Sequence, residues 1–502
     1  MPLFRTKPVE HSIRDTEDPD HRLRRDLTAL DLTVLGVGVI IGTGIFVLTG
    51  VVARDKAGPA VAISFVLAGI VCGLAALCYA EFASTVPVAG SAYTFSYATL
   101  GEFPAWIIGW DLILELALGA AVVAVGWSGY AASLLDSMGL TLPTAIGGSP
   151  GSDGGVINLP AVFVVLVVTA LLIFGVKMSS RFNAIIVTVK LAVILLVIVA
   201  GLFYVKGANY RPFIPPAQST AEVEGVRAPL MQVLFGAAPV NYGWLGVFAA
   251  LAIVFFAYIG FDIVATAAEE SRRPQRDLPI GILGSLAICT VLYVAVALVV
   301  VGMQPYTQLS ASAPLADAFR GVGRPGFATI VSVGAIAGLT TVVLIMLLGQ
   351  TRVFFAMSRD GLLPRGLSAV HPRFGTPYRV TLIMGAVVAV LAGFIPLAEL
   401  AELVNIGTLF AFVVVAVSVV VLRRTRPDLP RAFRTPLVPL VPALAVLSCL
   451  FVMVNLPVET WLRFLAWLLV GVVLYGLYGY RHSRLALHAV DLKQSDNSPE
   501  LR

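Results

Sequence analysis

Four ionisable residues interrupt otherwise apolar sequence, and their depth decides what chemistry they can do. Lys190 follows Arg181 by nine residues in an otherwise uncharged run. Helical rise puts it ~13 Å into a span, near the middle of a roughly 30 Å hydrocarbon core. A lysine there cannot reach the interface and costs roughly 2.5–3.5 kcal/mol to insert. It is expected to face the protein interior, paired with carbonyls or a carboxylate. Burial disfavours its charged form, which equips it to exchange a proton; the plainer alternative is a fixed ammonium that ties neighbouring spans together. Glu115 lies ~16 Å into another span by the same rise. It reads either as a polar wall or proton site of a substrate cavity, or as a neutral acid bonded to the next helix. Asp111 lies one turn earlier on the same face. Asp262, in FFAYIGFD, either caps a continuing half-helix or serves a gate or polar cavity.

Backbone groups supply a second kind of chemistry. The stretch from Leu32 to Val52 is long enough to cross a bilayer, yet it carries five glycines, with Gly42-Thr43-Gly44 near its middle. Glycine lowers the cost of leaving helical geometry, and freed backbone groups survive at membrane depth only when buried in protein or lining a wet cavity. Close helix packing through Gly38-x-x-x-Gly42 is the competing reading. A second interruption falls at Gly260, and paired broken segments are a pointer to a transport site. The N–H groups of Gly42, Thr43 and Gly44 at the start of a half-helix suit a carboxylate, and Thr43 adds a hydroxyl. Carbonyls around Phe256, Ala257 and Ile259 at the end of the other half-helix suit an ammonium. One zwitterion, an α-amino acid or a molecule shaped like one, satisfies both.

These segments require a membrane. Only 13% of the 502 residues are charged and 58% are hydrophobic, against about 25% charged in soluble chains. The expected fold is an all-α integral membrane protein with 12 transmembrane helices, at 32–53, 60–83, 104–134, 158–177, 182–205, 244–266, 280–303, 326–349, 378–396, 400–422, 437–456 and 461–480. Spans one to five and six to ten form a five-plus-five inverted repeat with discontinuous helices 1 and 6. The domains are a cytoplasmic arm (1–30), a first repeat (31–205), an outer connection (206–243), a second repeat (244–422), helices 11–12 (423–480) and a cytoplasmic tail (481–502). Pro87 to Glu102 reads as a short interfacial helix, 135–157 as a flexible outer loop, and Gly349 to Pro364 as a cytoplasmic segment. With both termini inside, most of the 34 Lys and Arg fall on the cytoplasmic side, including Arg22, Arg24 and Arg25, as the positive-inside rule requires.

Other functions are disfavoured. No Gly-Lys dipeptide occurs, so the chain has no phosphate loop for ATP. All five histidines lie in cytoplasmic segments, away from any intramembrane zinc or Ser–His site. Cys72, Cys78, Cys289 and Cys449 lie within spans and read as buried small hydrophobes. No cofactor, metal or nucleic-acid partner is expected, and oligomeric state is left open.

The motifs GVGVIIGTGIF, GSAYTFSYATLGE, WDLILELALGAA, FFAYIGFD and GQTRVFFAMSRDGLLP resemble the amino acid–polyamine–organocation superfamily, and within it the cationic amino acid transporter family. The resemblance covers about residues 22 to 480 and implies alternating access. It implies a substrate carboxylate at Thr43 and Gly44 beside Ile40, an amino group at Phe256, Ala257 and Ile259, and a side chain approached by Glu115 and Met346. It matches Lys190 to a family lysine that stands where sodium-driven relatives hold sodium, which implies proton coupling. An ammonium there would oppose a second cation near the hydroxyls of Thr340 and Thr341. The expected function is proton-coupled amino acid uptake across a plasma membrane, Met346 leaning toward small neutral substrates. The alternatives are an exchanger of amino acids or polyamines and a non-transporting membrane sensor.

Overall fold

The computed structural model describes residues 26–86, 91–151, 154–175, 180–219, 225–236 and 240–483. The arm through Arg25, with Arg22 and Arg24, residues 87–90 and the tail from 484 lie outside the described residues. The main helices are α1 (Ala29–Ile40), α2 (Val61–Thr85), α3 (Ser91–Thr99), α4 (Glu102–Ser137), α5 (Leu159–Ile173), α6 (Ser180–Leu202) and α7 (Gly243–Val254). They continue as α8 (Pro274–Met303), α9 (Pro314–Gly321), α10 (Pro325–Arg359), α11 (Tyr378–Phe394), α12 (Leu397–Thr425), α13 (Leu440–Val454) and α14 (Val458–Leu474).

Among the described residues, eight helices are long and apolar enough to cross a membrane, and four further apolar helices (α1, α5, α11 and α13) are shorter. The apolar side chains are arranged for that solvent. Phe163, Ile185, Val291 and Leu469 point outward, each more than 60% exposed, whereas Asp111, Glu115, Lys190 and Asp262 are buried. Polar groups inside and aliphatic groups outside satisfy hydrocarbon as the reverse satisfies water.

Three stretches differ from the sequence reading. The expected loop between spans one and two is instead wound, through π turns at Gly44–Leu48 and Ala53–Ala57 and a 3-10 turn at Gly58–Ala60. The expected cytoplasmic segment after residue 349 begins as a continuation of α10 to Arg359, because Gln350 and Thr351 remain buried. Its Nε2 donates to the Ile113 carbonyl at 3.1 Å, so Gln350 is held by α4. The connection 206–243 contains a two-residue antiparallel strand pair, Gln218–Ser219 with Val240–Asn241. It also bonds to the α13–α14 junction, where Leu230 N donates to Leu456 O and Val458 N to Ala228 O.

Helix α1 starts at a capping box formed by Thr28 and Asp31, which satisfies two of the orphan N–H groups of its first turn. Beside it, Leu27 N donates to Glu270 O and Arg272 N to Leu27 O, a parallel bridge between the start of α1 and the end of the sixth span. At the end of α2, Glu81 accepts two bonds from Arg423 (2.8 and 2.7 Å) and one from Thr435 N (2.8 Å), with Arg431 3.5 Å away. The carboxylate is 2% exposed. Glu81→Ala is therefore expected to lower thermal stability in detergent by about 2–4 kcal/mol, since it strands two arginines and a buried N–H. A midpoint equal to that of the parent would mean the 426–436 segment needs no such anchor.

Candidate substrate site

Both interruptions lie where the glycines fall, and they touch. Helix α1 stops at Ile40, and Ile41 takes an extended conformation (φ −70°, ψ 93°) before winding resumes at Gly44. Among the described residues no main-chain carbonyl accepts from Gly42 N. In the sixth span, α7 ends at Val254 and tightens into a 3-10 turn, Phe255–Tyr258. Ile259 is extended, Gly260 has φ +124°, and a second 3-10 stretch runs Asp262–Glu270. Only glycine adopts that dihedral without strain. A Cβ on Gly260 would also meet Val39 Cγ1 at 2.7 Å, and one on Gly44 would overlap the Cα and Cβ of Ala257. Glycine thus lets the two broken segments lie backbone to backbone.

Lys190 and Tyr293 hold this junction. Lys190 Nζ donates to Gly38 O (2.7 Å) and Ile41 O (3.3 Å), the carbonyls left open where α1 ends. Its stem lies along α10, 2.9 Å from a Cβ built on Gly338. Among the described residues the hydrogen-bond partners of Lys190 are these two carbonyls and no carboxylate. Tyr293 Oη lies 2.6 Å from Ile40 O and 2.8 Å from Ala257 O, so its one proton serves either carbonyl and bridges the breaks. Sequence reading missed Tyr293, although a lone phenol in an apolar span is a signal for a buried partner.

The other predicted residues gather around the junction. Ile40, Gly42, Thr43, Gly44, Phe256, Ala257, Ile259 and Met346 are all buried. Thr43 Oγ1 has no hydrogen-bond partner, and it lies 2.7 Å from a Cβ built on Gly126 of α4. Met346 Sδ lies 3.5 Å from a Cβ built on Gly119, one turn beyond Glu115, and Val342 packs 3.6 Å from one on Gly42. Of the three predicted carbonyls, Phe256 O accepts from Ile259 N at 3.2 Å and Ala257 O faces Tyr293. Glu115 is buried, and its Oε2 has no partner among the described residues. Asp111 packs against Gly407 with both oxygens unpartnered. Asp262 accepts from Gly260 N at 3.2 Å, back across the break, whereas the 3-10 stretch that follows has Phe261 at its N-cap and no side-chain cap.

The hydroxyls of Thr340 and Thr341 are committed elsewhere, donating to Ile336 O and Gly338 O at 2.7 and 2.8 Å. Two surface hollows, one of about 330 Å³ lined by Trp127, Leu142 and Phe163 and one of about 380 Å³ lined by Leu367, Tyr378 and Leu382, are almost wholly apolar. The junction is closed to solvent, and orphaned polar atoms face its interior. An apolar helical body with helix ends and unpaired polar groups at its centre has the construction of a membrane transport protein.

Comparison with known proteins agrees. The amino acid permease family model matches residues 27–475, and the chain belongs to that family. It is 49% identical over 484 residues to a methylthioribose transporter of Bacillus subtilis, covering 96% of this chain and 99% of the relative. It is 50% identical over 487 residues to the branched-chain amino acid permease BcaP of the same organism, with the same coverage. A vacuolar cationic amino acid transporter of Arabidopsis thaliana is 40% identical over 427 residues, 85% of this chain and 68% of the relative. The protein is a multi-pass membrane transporter of amino acid permease type and not an enzyme.

Proposed function

We propose that this chain is a secondary transporter that takes up small apolar amino acids across a bacterial plasma membrane by alternating access, with proton coupling through Lys190. The observation that carries the reading is the meeting of the two broken helices around an orphaned Thr43 hydroxyl. A carboxylate bound by Thr43 and the N–H groups of Gly42 and Gly44 neutralises the positive end of one half-helix, and an ammonium at Phe256, Ala257 and Ile259 the negative end of the other. Ile40 and Met346 bound the side-chain space, with Glu115 and Asp262 as its polar wall and gate. The twelve-crossing count and the inverted arrangement of 31–205 and 244–422, with both termini cytoplasmic, belong to the same proposal. They are supported by the offset of five spans, an odd number, from one break to the matching one. Lys190 suits proton coupling because, among the described residues, it is bound by the carbonyls of Gly38 and Ile41 and by no carboxylate.

The names of the relatives favour one competing cargo, since one of them carries methylthioribose. That molecule is a neutral thioether sugar and would leave both helix ends without an opposite charge.

Uptake into proteoliposomes tests these readings together. Labelled L-alanine, L-valine, L-leucine, L-arginine and methylthioribose are offered with and without an inward proton gradient. Accumulation of the neutral amino acids, raised by the gradient, is expected. Uptake that ignores the gradient but needs amino acid inside the vesicle would establish exchange, and uptake of methylthioribose alone would replace the substrate class. Met346→Ala is expected to shift preference toward bulkier side chains, by about ten-fold for each methylene-sized increment that the pocket newly admits. Unchanged ranking in competition would remove Met346 from the side-chain space.

A further inference from the structure

We propose that Asn405, in the middle of α12, is a positioning residue that sets the backbone carbonyls receiving the substrate's amino group; the inference rests on the reading of that site given above. Asn405 is fully buried. Its Nδ2 donates to Ala252 O at 2.7 Å, with Ile253 O at 3.5 Å. These are carbonyls of the last turn of α7, directly before the 3-10 turn Phe255–Tyr258.

The geometry explains why a donor is needed there. In an α-helix, Ala252 O accepts from the N–H four residues on, which is Phe256. Phe255 N–H still bonds Leu251 O, four residues back, whereas three-back pairing takes the next N–H, that of Phe256, to Ile253 O, so the switch in winding passes over Ala252 O inside the protein. A buried carbonyl without a partner costs about as much as a lost hydrogen bond. Asn405 fills that vacancy from another helix and thereby holds the tightened turn against reverting to α geometry. Reversion would rewind Phe256 and Ala257, turning the carbonyls that face the junction.

The rest of α12 fixes Asn405 against this target. Asn405, Thr408 and Phe412 lie at i, i+3 and i+7, one face of the helix. Thr408 is fully buried, its hydroxyl donating to Val404 O at 3.1 Å. Phe412 packs on Phe255 before the break and Phe261 after it, with ring centroids 5.8 and 5.1 Å apart, and on Tyr79 of α2 at 5.4 Å. The face of α12 therefore grips the sixth span on both sides of its interruption, with Asn405 as the polar contact of the grip.

The test uses full-length protein in proteoliposomes and separates amine recognition from general damage. Uptake of labelled L-leucine, L-valine or L-alanine is inhibited by the unlabelled amino acid and by its des-amino analogue, 4-methylpentanoate, 3-methylbutanoate or propanoate. The parent is expected to favour the amino acid strongly. Asn405→Leu and Asn405→Asp, which lack the amide donor, are expected to weaken inhibition by the amino acid about ten-fold or more, while inhibition by the des-amino acid stays as in the parent. A variant that keeps the parent's ratio overturns the proposal. So does an equal loss for both inhibitors, or failure of both variants to fold, because each assigns Asn405 to structure alone. A parent that takes up none of the three, or does not distinguish amino acid from des-amino acid, overturns the underlying amine site and this inference with it.

Discussion

Lys190→Ala is expected to give a folded protein whose uptake no longer responds to a proton gradient. The substitution removes two hydrogen bonds from an ammonium, each worth about 1.5–3 kcal/mol. It also removes a charge whose insertion costs roughly 2.5–3.5 kcal/mol. These effects oppose each other, so the thermal midpoint should move little while the chemistry disappears. The carbonyls of Gly38 and Ile41 lose the donor they share among the described residues, which frees the end of α1 from α6. Measuring uptake at several external pH values, with and without the gradient, separates the possibilities. A flat pH profile or lost uptake supports coupling through Lys190. A gradient response like that of the parent, together with a large fall in midpoint, would make Lys190 a structural pin.

Gly44→Ala is expected to abolish amino acid binding, and Gly42→Ala to be much milder. The added methyl at 44 overlaps backbone of Ala257, which no rotamer change relieves, whereas at 42 it meets Val342 at 3.6 Å, an ordinary contact. Overpacking of this kind costs about 1–3 kcal/mol. It also pushes apart the two surfaces on which the proposed carboxylate and ammonium sites stand. The loss in apparent affinity at 44 should exceed about ten-fold, the worth of one mispositioned hydrogen bond. Competition against labelled substrate measures it. Equal effects at 42 and 44 would show that the glycines serve flexibility generally and not the close approach.

The sequence exposes these features unequally, for physical reasons. Gly42, Gly44 and Gly260 announce breaks because glycine clusters are costly in a spanning helix, and Lys190 announces itself because a charge at that depth is costly. Asn405 and Tyr293 are bulky polar residues in largely apolar spans. That marks each as in need of a partner, but the partner is a carbonyl 153 and 36 residues away in sequence. Only the fold brings such carbonyls forward, because they become free when another helix changes its winding. The wound junction at 53–60 and the length of α10 were likewise hidden, since apolar burial continues where the charge pattern reads as an end. Asp262 reads in sequence as either a cap of the continuing half-helix or a gate, and its bond instead reaches back two residues to Gly260 N.

The nine-residue 3-10 stretch Asp262–Glu270 is long for its type, as runs beyond 3–4 residues are uncommon. At about 2.0 Å per residue it measures roughly 18 Å, against about 13.5 Å for the same residues wound as α-helix. The sixth span therefore holds a reserve of length, about 4–5 Å, that rewinding would take up. One end of the stretch lies at the Gly260 break and the other at Ser271, bridged through the backbone to Leu27. Any contraction pulls on the N-terminal end of α1 without bending a single side chain.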